Sequence, residues 1–219
     1  MKKFELTTDT KMFLGRKLFR IKALISFGNV KVGDMGGYIE KEENLSQSGD
    51  AWVSGDARVS GDARVSGDAR VYGNAWVSGD ARVSGNAEVS GNARVYGDAW
   101  VSGNARVYGD ARVYGNAEVS GNTEVSGDAW VYGNAWVYGD AEVSGDADYA
   151  TASGFGSEYR TTTFFKLKNS DEIGVRCGCF YGTLKEFKEK VKETHGESKK
   201  AKEYLMLADL MEYKFSEEK

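Results

Sequence analysis

From Val53 to Asp148 the chain repeats one hexad, Val-(Ser/Tyr)-Gly-(Asp/Asn)-(Ala/Thr)-x, sixteen times with no insertion or deletion. Apolar positions six apart fall on opposite sides of a 3.6-residue turn, so the repeat is not helical. As strand and corner it closes. In a unit such as Ala57-Arg58-Val59-Ser60, Ala and Val point to one side while Arg and Ser point to the other, the alternation of a strand. Gly61-Asp62 then turns the chain, because Gly takes positive φ without a Cβ clash and Asp or Asn bonds the local backbone. Three such strands and corners predict a mainly β, triangular parallel solenoid of eighteen residues per coil.

Residues eighteen apart then stack on successive coils, about 4.8 Å apart, and the monotonous sequence resolves into three outer faces. The first stacks Trp52, Arg70, Glu88, Arg106, Glu124 and Glu142. Alternating Arg and Glu satisfy one another across rungs, so this face reads as solvent-facing structure. The second stacks Arg58, Trp76, Arg94, Arg112 and Trp130 beside Ser60, Ser78, Tyr96, Tyr114 and Tyr132, with no acid in the column before Asp148. Guanidinium forks beside aromatic plates suit phosphate and base, a subunit interface, or simple cation–π covering of the barrel. The third stacks Arg64, Arg82, Trp100, Glu118 and Trp136. Two faces bearing Trp favour an oligomer, since large exposed aromatic patches are uncommon on monomers. The corner columns Asp62, Asp80, Asp98 and Asp110, Asp128, Asp146 read as turn formers, with no metal expected.

The repeat fills nearly half of 219 residues, and the rest must cap it. Residues 1–52 are expected to form an N-terminal cap, rich in apolar residues such as Phe4, Phe13, Leu18 and Ile21, followed by irregular first coils; residues 53–150 form the solenoid. Residues 151–219 read as a linker from Thr151 to Ser157, a hairpin of Thr161–Lys168 with Ile173–Tyr181, and two helices. Thr183 with Glu186 makes a capping box for a helix stopping near His195-Gly196, and a second helix runs from about Ser198 to Tyr213. Cys177 and Cys179 are placed on one strand as two small buried side chains, too close for an unstrained bridge. His195 fits a helix C-terminus.

The start, Met1-Lys2-Lys3-Phe4-Glu5, has no apolar leader core, and no run approaches the roughly 20 apolar residues of a membrane span, so a cytoplasmic protein without membrane contact is expected. Net charge is −4, and the repeat carries seven Arg, no Lys and fourteen acids, which argues against duplex nucleic acid as a partner.

The hexads, an aliphatic residue followed four positions later by a small one, resemble the hexapeptide-repeat left-handed β-helix superfamily, and the left-handed coil is what that resemblance implies. The wider chain, with Val32-Gly33-Asp34-Met35-Gly36-Gly37-Tyr38-Ile39 before the repeats and Thr161-Thr162-Thr163-Phe164-Phe165 and Cys177-Gly178-Cys179-Phe180 after them, resembles hexapeptide-repeat proteins carried by phages and prophages. Enzymes of the superfamily are chiefly acyltransferases with a His base on a loop that interrupts the coils. Here no loop interrupts, and the chain has a single His, His195.

The expectation is therefore a non-enzymatic homotrimer without cofactor or metal, sequestering a small anionic, nucleotide-like host signal as an anti-defence sponge. Its ligand-binding candidates are Trp76, Arg94, Tyr96, Arg112, Tyr114, Trp130 and Tyr132, with Arg160, Thr162 and Arg176 as further phosphate contacts. The alternatives are an acyltransferase, a protein that binds and inhibits a host factor, and a structural or polymer-forming solenoid.

Overall fold

The structure is a computed structural model that describes residues 2–156 and 158–216. Met1, Ser157 at the end of the expected linker, and residues 217–219 lie outside the described residues. Each hexad contributes a two-residue strand, such as Arg58–Val59, and a Gly-Asx corner. Strands eighteen residues apart pair in parallel, as in Arg94 with Trp76 and Arg112, and the three columns become three sheets. Val59, Val77, Val95 and Val113 are fully buried with the intervening Ala residues, while Arg94 is exposed. One inward register buries every Val of the repeat and every Ala but Ala147, in the last hexad, and a slip of one residue would reverse it.

Beyond the strand ladders, N–H groups of one coil donate to carbonyls of the next, for example Arg58 to Ala75 at 2.9 Å and Ser60 to Val77 at 3.0 Å. Corners stack as closely: at Gly67, with φ of +68°, an added Cβ would lie 2.9 Å from the Gly85 nitrogen. The Asx side chains form ladders of their own. Asn86 donates to Asn104, Asn104 to Asn122, and Asn122 to the Asp140 carboxylate, at 3.0, 3.0 and 2.9 Å. Thr123 replaces Ala inside the coil and stays satisfied, its hydroxyl donating to the Ser120 carbonyl at 2.7 Å.

The direction of these bonds decides what can close each end. The first coils leave carbonyls open, and side-chain donors meet them. Lys3, fully buried, donates to the Gly49 and Ala51 carbonyls at 3.2 and 2.9 Å, and the Asn44 amide donates to those of Gly61 and Ala63 at 3.0 and 2.8 Å. Burial pulls the Lys3 amine down to about 8 against the opposing pull of Asp50 and Asp68. The last coil leaves N–H groups open, and side-chain acceptors meet those. Asp146 accepts from Trp130 N–H at 2.9 Å, Thr163 from Trp136 N–H at 3.0 Å, and Asp148 from Ser144 N–H at 2.9 Å.

The N-terminal cap is a hairpin of β1 (Phe4–Phe13) and β2 (Arg16–Ala23), followed by β3 (Met35–Ile39). β2 pairs antiparallel with β3, and β3 pairs parallel with Arg58–Val59, so the hairpin extends the sheet of the second face. Trp52, expected on an open face, is only 7% exposed. Phe27 packs edge-on against it at 5.4 Å, and the close approach of Gly36 seals it further.

At the other end, Tyr149–Ala152 is a strand, although Thr151 was expected to open a linker; it pairs with Thr162–Lys166 in a sheet completed by Ile173–Cys177 and Phe180–Thr183. Helices α1 (Leu184–His195) and α2 (Lys199–Phe215) pack on it through Leu184, Phe187, Val191, Ala201, Tyr204 and Ala208. Thr183 and Glu186 form the expected capping box. The expected single strand through both cysteines is broken by a turn at Gly178, whose φ of +59° no strand residue adopts. Cys177 is therefore half-buried and Cys179 exposed, not two buried side chains.

Candidate binding faces

The second face keeps its expected column but not its expected exposure. Phe13, at the tip of the hairpin, lies edge-on to Trp76 at 5.2 Å and 4.4 Å from the Arg58 guanidinium. Trp76 also donates from its indole to Ser60 at 3.3 Å. The chain thus covers the first Arg and Trp of this column with its own side chain, and Trp76 is half-buried. Further along, Tyr96 and Tyr114 stack at 4.9 Å with planes 2° apart, and Tyr114 and Tyr132 at 5.4 Å with planes 14° apart. The Arg112 guanidinium lies over Trp130 at 4.5 Å, and Trp130 stands edge-on to Tyr114 at 6.4 Å. Burial of its hydroxyl and the neighbouring phenols Tyr96 and Tyr132 push the Tyr114 pKa up. Among the described residues neither Arg94 nor Arg112 has an ion-pair partner. Six of the seven solenoid candidates, all but Trp76, therefore form one continuous Arg–aromatic surface.

The first face keeps part of the expected Arg–Glu ladder. Arg106 pairs with Glu124 at 3.9 Å, and Glu124 also holds Lys168 of the C-terminal unit, more closely, at 2.5 Å. Glu88 accepts from the Tyr72 hydroxyl at 3.3 Å. Tyr at the position after Val reaches the Glu of the next coil, a contact that the sequence columns read separately do not reveal.

The C-terminal candidates separate into three roles. Thr162 is buried within its sheet, its hydroxyl 3.2 Å from the Cys177 sulfur, and it faces no open surface. Arg176 lies over Trp136 at 5.1 Å and Tyr138 at 5.7 Å, joining the appendage to the third face. Only Arg160 lines open space. It borders a groove of about 620 Å³ between the appendage and the third face, which Trp100, Glu118, Trp136 and Tyr159 also line. It also borders a neighbouring cavity of about 540 Å³ with Cys177, Cys179, Lys190 and His195. His195 ends α1 and stacks on Tyr204 at 5.8 Å. Sequence reasoning missed this groove because one wall comes from the repeat and the other from the appendage, and no period links them.

Sixteen in-register hexads closed into three parallel sheets define a β-solenoid repeat protein of hexapeptide-like type. The repeat matches a family model described as the YdcK beta solenoid repeat over residues 51–67, 63–79, 87–103, 99–112 and 105–121. No curated protein matches the chain. No described helix is long and apolar enough to cross a membrane.

Proposed function

We propose that this chain is a non-catalytic binding protein whose second face takes a flat anionic ligand of nucleotide type. The observation that carries the reading is the pairing of two guanidiniums, Arg94 and Arg112, that have no carboxylate partner among the described residues, with a stacked Tyr96–Tyr114–Tyr132 ladder. Phosphate would meet the guanidinium forks, and a base would lie against exposed Trp130 or Tyr132. A rigid stack of coils offers this surface preorganised, so affinity needs no folding step. In a homotrimer the face would line a groove between subunits. On the resemblance to phage-borne proteins, the task would be to withhold a host signal. Calorimetry with cyclic and linear nucleotides tests the reading. Heat with the parent and none after Arg94→Glu supports it, and no heat with any nucleotide removes it.

A protein partner on the same face is the second reading, favoured by one contact. Phe13 already seats an aromatic ring between Arg58 and Trp76, so a partner's ring could occupy the corresponding place beside Arg112 and Trp130.

A further inference from the structure

The groove between the third face and the appendage has different chemistry from the second face. Trp100, Glu118 and Trp136 occupy consecutive rungs. Two rungs, about 9.6 Å of backbone spacing, separate the tryptophans, with Glu118 on the rung between them. Both indoles remain open, at 43% and 40% exposed. Trp100 is steadied by donating to Ser84 at 3.1 Å. Between them Glu118, and on the adjoining corner Asp98, have no ion-pair partner among the described residues. Tyr159, 72% exposed and held at φ of +52°, adds a third aromatic wall. A non-Gly residue held in that region costs free energy and is common where a ligand is clamped. Arg160, which lines the groove, is turned to Glu158 at 3.9 Å. Arg176 over Trp136 shows that this column already attracts a guanidinium.

We propose that this groove is a second binding site, for a small organic cation of the quaternary-ammonium class. The aromatic walls supply cation–π attraction and shed the weak hydration of a methylated ammonium. Glu118 supplies the counter-charge that an isolated aromatic cage lacks. Anionic ligands are disfavoured here by the same carboxylates, so the site is separate from the one proposed on the second face.

Choline is the probe, with its neutral tert-butyl isostere, in which carbon replaces nitrogen, as the control for hydrophobic binding. Titration calorimetry should show choline binding, the isostere weaker by roughly tenfold, and Glu118→Gln weaker for choline by a similar factor. Trp100→Leu should lose choline while circular dichroism melting stays at the parent value, because the side chain is outside the Val and Ala core. Should Trp100→Leu alter the melting, Glu118→Gln, which changes no volume, carries the test alone. Equal binding of choline and the isostere, unchanged choline affinity in Glu118→Gln, or no choline binding at millimolar concentration would each overturn the proposal.

Discussion

The second and third faces are built on the same coil from the same alternation of outward and inward residues, yet the ligands proposed for them carry opposite charge. On the second, Arg94 and Arg112 are adjacent rungs beside a Tyr ladder, and the column holds no acid until Asp148. On the third, Glu118 stands between two tryptophans, and Ser102 and Ser120 replace the Tyr ladder. The difference lies only in the variable residue of each hexad and in Ser or Tyr after Val. A solenoid separates folding from recognition in this way: the inward Val and Ala fix the stack, and outward substitutions set the chemistry at little cost in stability.

The largest expected effect breaks the comparison on the second face. Arg94→Glu with Arg112→Glu should weaken an anionic nucleotide at least about a hundredfold, since each reversal forfeits roughly 1.5–3 kcal/mol of charged hydrogen bonding. Melting temperature should hold, because both side chains point outward.

The next effect sharpens the comparison by perturbing the stack that both faces share. Lys3→Met should lower unfolding stability by about 1–3 kcal/mol, measured by denaturant titration, because two buried carbonyls lose their donor. Neither ligand's affinity should change in the folded protein. The two ends also titrate in separate windows, each gaining stability as pH rises. With Lys3 lowered to about 8, the unfolded chain holds more protons between that value and the ordinary lysine value of 10.5, so this residue's contribution to stability rises with pH across that window. A neutral amine still offers the two N–H groups that the carbonyls need. At the other end, burial tends to raise the Asp148 carboxyl, but the Lys166 ion pair at 2.7 Å and the Ser144 and Gly145 N–H groups outweigh it and hold its pKa below 3.8. Its stabilisation is present above the ordinary aspartate value and is lost as pH falls through the lowered one. Denaturant midpoints of parent minus Lys3→Met, and of parent minus Asp148→Asn, should show these two windows.

A smaller effect concerns the stacking plate. Trp130→Ala should weaken nucleotide binding by about 1–3 kcal/mol if a base lies on it, and should leave choline binding on the third face alone. The smallest expected effect is a control: Arg82→Ala, an exposed third-face side chain outside the groove, should change stability by less than about 0.5 kcal/mol and neither affinity.

The hexad alone made the solenoid, its inward register and its three columns legible, because a period of eighteen is a direct statement about neighbours. It could not show what the non-repeating segments cover. Phe13 and Phe27 come from stretches with no period, and they cover part of Trp76 and bury Trp52. Gly178 placed a turn within what read as one β-rich run, because a Gly between two Cys is compatible with either. Arg160 was legible as a candidate, but its groove depends on how the appendage seats against Trp136, a contact set by Thr163, Arg176 and Leu167 and by no local pattern.

The direct test of two faces with opposite preference is one calorimetric matrix: an anionic nucleotide and choline, each titrated into the parent, Arg94→Glu and Glu118→Gln. The account predicts that Arg94→Glu loses the nucleotide and keeps choline, while Glu118→Gln weakens choline and keeps the nucleotide. Both variants losing both ligands, or neither variant changing either affinity, would contradict it.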